Sequence, residues 1–94
     1  MFIITSRYLK SFEMDDPTLR EHLEFVNKHY DDGTFIAFGS RKPRVGGLII
    51  ARGTDGDEMR ALMKDDPFVR EGIAEYEFQE CQLSKATHPD LVEP

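Results

Sequence analysis

The chain has 94 residues, 39% of them hydrophobic and including seven Phe and three Tyr, so one domain with a single thin core is the natural reading. Twelve Lys and Arg against eighteen Asp and Glu give a net charge of −6. That argues against general nucleic-acid binding, where basic side chains neutralise phosphates, but not against a small anionic ligand meeting a local basic patch. A lone cysteine, Cys81, excludes an internal disulfide and any secreted disulfide scaffold, and a cytoplasmic protein is the default expectation.

The apolar start Met1-Phe2-Ile3-Ile4 is too short for a signal-peptide core or a membrane span, so no membrane association is expected. Residues 2–8 are β-branched and aromatic and predict a first strand. After a loop over 9–15, Asp16-Pro17 opens a helix, Asp as N-cap and Pro in the first turn. Leu19, Leu23, Val26 and Tyr30 mark its apolar stripe, and Asp31-Asp32-Gly33 stops it. Residues 34–39 and 45–52 are the second and third strands, joined as a hairpin by the turn 40–44.

Thr54-Asp55-Gly56-Asp57 reads as a capping box with Asp in place of Glu, followed by the stripe Met59, Leu62 and Met63. Asp65-Asp66-Pro67 ends that helix, because a residue before proline avoids the α region. Residues 68–72 predict one more helical turn closed by Gly72. The fourth strand spans 73–83, with Ala74, Tyr76 and Phe78 on one face. Residues 84–94 are polar and read as a tail or interface arm, leaving 1–83 as the domain. The order strand, helix, strand, strand, helix, strand predicts an α+β, ferredoxin-like βαββαβ fold with a four-stranded antiparallel sheet. Two helices on one face leave the other uncovered. Phe2, Ile4 and their neighbours are expected there, covered by a second copy in a face-to-face homodimer.

His22 lies three residues after Leu19 and four before Val26, so it falls on the buried stripe. It is either a satisfied core residue or a general acid/base at a pocket, and pattern alone leans to the first. Asp66 suits an N-cap ahead of Pro67-Phe68, yet one oxygen can cap while the other holds an imidazole N–H. Asp65 competes with it. Gly39-Ser40 is either a ligand contact or an ordinary turn. Arg41, Lys42 and Arg44 are the basic cluster that an anionic substrate would meet, with Arg7 as an alternative contact. Gly46-Gly47 lies inside a strand, which suggests close backbone approach to a ligand or a partner chain.

His22 and His29 share a helix face but stand about 10 Å apart, too far to bind one metal ion. His88 lies in the tail. No metal and no cofactor are expected, and Cys81 is expected to be a buried, inert thiol. No Ser/His/Asp arrangement with a nucleophile elbow is visible.

The run of His22, Gly33-Thr34-Phe35, Phe38-Gly39-Ser40, Gly46-Gly47 and Asp66-Pro67-Phe68 with Gly72 resembles the YciI (YCII-related) family over residues 1–83. That resemblance implies a dimeric ferredoxin-like α+β barrel with a His–Asp active site, here His22 and Asp66. It implies a cofactor-independent acid/base enzyme, of lyase, isomerase or dehydrohalogenation type, acting on a small cyclic or aromatic metabolite. The competing expectation is a non-catalytic dimer that binds a small molecule.

Overall fold

A computed structural model describes residues 1–92. Four strands form one antiparallel sheet: β1 (Phe2–Tyr8), β2 (Phe35–Ser40), β3 (Gly47–Ala51) and β4 (Ala74–Glu80). Their order across the sheet is β2-β3-β1-β4, the ferredoxin-like arrangement. Between them run α1 (Pro17–Asp31), α2 (Gly56–Met63) and the single turn α3 (Pro67–Arg70). Among the described residues no helix is long and apolar enough to cross a membrane.

The helix ends follow from local hydrogen bonding. Asp16 accepts the Thr18 N–H at 2.9 Å and caps α1. Asp55, not Thr54, caps α2: its carboxylate accepts the N–H groups of Asp57 and Glu58 at 3.0 and 3.1 Å. A carboxylate accepts two amide donors at once more readily than a hydroxyl one residue earlier. Gly72 takes φ of 69° after α3 and turns the chain into β4 at no side-chain cost.

Strand alternation then sorts the side chains. Phe2 and Ile4 face the helices and pack with Val26, Met59 and Met63, with Phe35 and Ile49 completing the core. This corrects the expectation that Phe2 and Ile4 would lie on the uncovered face. That face instead carries Ile3, Thr5 and Arg7 of β1, flanked in register by Leu48 and Ile50 of β3 and Glu75, Glu77 and Gln79 of β4. Period-2 alternation separates odd from even positions; which set meets the helices is decided by where the crossovers run.

The buried arc of α1 is also rotated from its simplest reading. Val26 is buried, whereas Leu23 and Tyr30 are 44% and 50% exposed, at the margin of the sheet's cover. The third strand is shorter than expected: Val45 belongs to the turn, where its N–H donates to the Pro43 carbonyl at 2.8 Å, and the next residue, Gly46, is pressed against β1. A Cβ there would lie 1.8 Å from the Ser6 carbonyl oxygen. The close approach foreseen at Gly46 is therefore to the chain's own β1, not to a ligand or a partner. The fourth strand ends at Glu80. The tail returns through a 3-10 turn, Pro89–Leu91, where Asp90 pairs with Arg52 at 3.2 Å. Residues 93 and 94 of the expected tail lie outside the described residues.

Candidate active site

Asp66 and His22 are 44 residues apart in the chain and meet where α3 packs on α1. Asp66 is the N-cap of α3, and its Oδ1 accepts the Phe68 N–H at 2.9 Å. The capping geometry leaves the rest of the carboxylate free, and His22 Nδ1 lies 2.8 Å from Oδ1 and 3.0 Å from Oδ2. The Tyr76 hydroxyl donates to Oδ2 from β4. Asp66 is 0% exposed, so all its bonding is internal.

This arrangement sets the histidine's tautomer. A carboxylate only accepts, so Nδ1 carries the hydrogen and Nε2 is the free nitrogen. No buried side-chain nitrogen or oxygen among the described residues lacks a partner, and only Nδ1 of His22 is bonded, so Nε2 is open to its surroundings. The ring is held flat on Phe68, with centroids 4.2 Å apart and planes 2° from parallel. Phe68 in turn packs on Phe12 at 4.9 Å. Tyr76 is locked as a donor: burial first, then the charge of Asp66 and the bond to it, push its hydroxyl well above the usual tyrosine range.

Beside His22 opens a cleft of about 670 Å³, bounded by α1, the segment between β1 and α1, and the β2–β3 hairpin. That size suits a small organic ligand. Its walls are largely apolar, with Phe12, Leu19, Leu23 and Phe38 among them. Ser6 is 6% exposed and lines the floor, where its Oγ accepts the Gly47 N–H at 2.7 Å. The hydroxyl's own hydrogen is uncommitted among the described residues.

The YCII-related domain family model matches residues 1–82. The chain belongs to the YCII-related domain family. No curated protein matches it in sequence. Among solved structures it is similar to 5-chloro-2-hydroxyhydroquinone dehydrochlorinase (TftG) from Burkholderia phenoliruptrix AC1100, in complex with 2,5-dihydroxybenzoquinone. The TM-score is 0.53 at 16% identity, over 87% of this chain and 94% of that chain. At that identity the likeness is one of fold.

In this YCII-related chain the structure brings His22 and Asp66 together and sets Asp65 apart, exposed to solvent. Gly39 and Ser40 line the cleft. Arg7 does not: it projects from the open face of the sheet and pairs with Glu75 of β4. Arg41 is also spent elsewhere, since its guanidinium donates to the Ser6 carbonyl at 3.2 Å and braces the hairpin. Arg44 is the member of the basic cluster that reaches the cleft, together with Lys10, which pattern reading passed over. Tyr76 and Ser6 were likewise missed as site residues. A tyrosine on a strand's inner face reads as core, and a serine there reads as a tolerated small residue.

His29 is engaged by Asp32 at 3.0 Å. The Thr34 side chain and backbone N–H, with a smaller contribution from His29, hold the Asp32 carboxyl below its usual range. His88 caps the 3-10 turn through the Asp90 N–H at 3.3 Å. Cys81 is half-buried, not fully buried as expected, because β4 has already ended beside it. Among the described residues, no group of three or more His, Cys, Asp and Glu is placed to hold a metal ion.

Proposed function

We propose that this YCII-related protein is a small cofactor-independent acid/base enzyme. His22 Nε2 moves a proton to or from a small cyclic or aromatic metabolite in the cleft. Asp66 holds the ring in one tautomer and stabilises its cation. Tyr76 and the Phe68 N–H fix Asp66, and so act as positioning groups. The observation that supports this most is the wholly buried carboxylate bound to Nδ1 of a histidine whose other nitrogen is open beside an apolar cleft. Buried core histidines satisfy both nitrogens; this one leaves the reactive nitrogen free.

Eliminations and isomerisations need a base near a substrate C–H or O–H, and one oriented imidazole nitrogen supplies that. The fold is shared with a dehydrochlorinase of a hydroxylated chloro-aromatic, so elimination from such rings is the first class to screen. With a substrate found, His22→Gln should lower kcat by about 10²–10⁴-fold and leave the fold intact. Unchanged turnover would remove His22 from the chemistry. A ligand that binds beside His22 and is never turned over would favour the non-catalytic binding protein instead.

The proposal includes a homodimer closed over the open face of the sheet as an α+β barrel. Leu48 is 36% exposed there, with Ile3 and Ile50 half-buried beside it, in a face of a four-stranded sheet that none of the described helices covers. Sedimentation at micromolar concentration should give twice the chain mass, and Leu48→Arg should halve it. A wild-type monomer would sink this part of the reading.

A further inference from the structure

The chain is acidic overall, yet the cleft beside His22 is not. None of its wall residues is Asp or Glu, and the two fully charged side chains that line it are Lys10 and Arg44. They arrive from separate segments, Lys10 after β1 and Arg44 in the β2–β3 turn. Neither makes an ion pair or hydrogen bond with another described residue. Four of the six other arginines are committed: Arg7 to Glu75, Arg41 to the Ser6 carbonyl, Arg52 to Asp90, and Arg60 over the Phe78 ring; Arg20 and Arg70 do not line the cleft. With a net charge of −6, the molecule as a whole repels anions. Two uncompensated cations at a single apolar opening reverse that field locally. The same cleft is lined by Phe12, Leu19, Leu23 and Phe38, which offer flat and branched apolar surface for a ring. Ser6 and Ser40 add hydroxyls for ring substituents.

We infer that the cleft selects a ring-bearing organic acid, whose carboxylate is held by Lys10 and Arg44 while its ring lies on the apolar walls beside His22. This names the substrate class of the site and rests on the acid/base reading of the same cleft. Lys10 and Arg44 set specificity, and His22 does the proton transfer.

The test uses the whole chain and a matched pair of probes, 2-hydroxybenzoate and its uncharged amide 2-hydroxybenzamide. Binding is followed by NMR through the signals of His22 and Phe12. The acid should bind roughly tenfold tighter than the amide at low salt, the size expected of two partly screened charge contacts. Raising the ionic strength should narrow the gap. The double variant Lys10→Gln/Arg44→Gln should bring the two probes to near parity without weakening the amide. Both positions are exposed, so the fold should be unaffected. Equal binding of the two probes in the wild type, no binding of the acid, or a preference that survives the double variant would overturn the inference. His22→Gln should keep the preference for the acid. Turnover that survives in that variant would therefore reject the acid/base reading while leaving the anion site standing.

Discussion

Asp66→Asn is expected to lower stability by about 2–4 kcal/mol and to release His22 from its single tautomer. Asp66 receives three donors on two oxygens: the Phe68 N–H, His22 Nδ1–H and the Tyr76 hydroxyl. An amide of the same shape offers one acceptor oxygen. If that oxygen keeps the cap, the amide NH₂ must face Tyr76, which then has to accept. The carboxylate charge that faces the imidazole is gone in either orientation. For a domain of this size the stability loss amounts to a fall of roughly 10–25 °C in Tm. The ¹⁵N shifts of the His22 ring should pass from one tautomer to a mixture, and turnover should drop by about 10²–10⁴-fold. A variant with wild-type Tm and an unchanged tautomer would show that Asp66 is a helix cap and nothing more.

Tyr76→Phe probes the same network from its other side. Losing one hydrogen bond to a charged group should cost about 1.5–3 kcal/mol near neutral pH. The hydroxyl is held above its ordinary range when folded, whereas in the unfolded chain it ionises near about pH 10. Its contribution is therefore fully present below that pH and is lost as the pH rises past it. The stability gap between wild type and Tyr76→Phe should accordingly narrow in alkaline solution. A gap that stays constant there would mean the hydroxyl is not held by Asp66.

Gly46→Ala should destabilise the protein by at least about 3 kcal/mol, although it adds one methyl group. The new Cβ would stand 1.8 Å from the Ser6 carbonyl oxygen and 2.5 Å from its carbon. Ordinary contact begins near 3.4 Å, and both obstructing atoms are backbone, so no side chain can swing aside. Either β1 or the hairpin must move, and each is tied to the other: the Tyr8 N–H donates to the Val45 carbonyl at 2.8 Å, and the Gly47 N–H to Ser6 Oγ at 2.7 Å. The shift would also deform the cleft floor at Ser6. Gly39→Ala is the control, because a Cβ there meets nothing within 4 Å, and its effect should stay within about 0.5 kcal/mol. Denaturant midpoints of the two variants decide the matter. Similar midpoints would mean that the contact at Gly46 is slack.

The elements were legible because their signals are local. A β-branched and aromatic run made β1, Asp16-Pro17 opened α1, Asp66-Pro67 opened α3, and glycines released the chain after α1 and α3. Their order was enough to name the fold. His22 could be placed on the inner side of α1, since helical spacing puts it beside Leu19 and Val26. Its pairing with Asp66 in particular came from resemblance to a family, because no local pattern prefers Asp66 to Asp65.

Tertiary structure decided what depends on how distant segments meet. Alternation separates Phe2 and Ile4 from Ile3 and Arg7, but the crossovers determine which pair meets the helices. That choice buried Phe2 and sent Arg7 away from the cleft. Tyr76 became the third partner of Asp66 because β4 lies beside β1 and under α3. Gly46 has no room for a side chain because one carbonyl of β1 occupies the space it would need. Lys10 reads as an ordinary loop charge, and Arg44 as one of three cations at a hairpin turn, until the hairpin and the β1–α1 segment place both on one apolar opening. Periodicity and capping are properties of a few consecutive residues. A charge balance, a shared carboxylate or a backbone clash belongs to atoms that only the folded chain brings together.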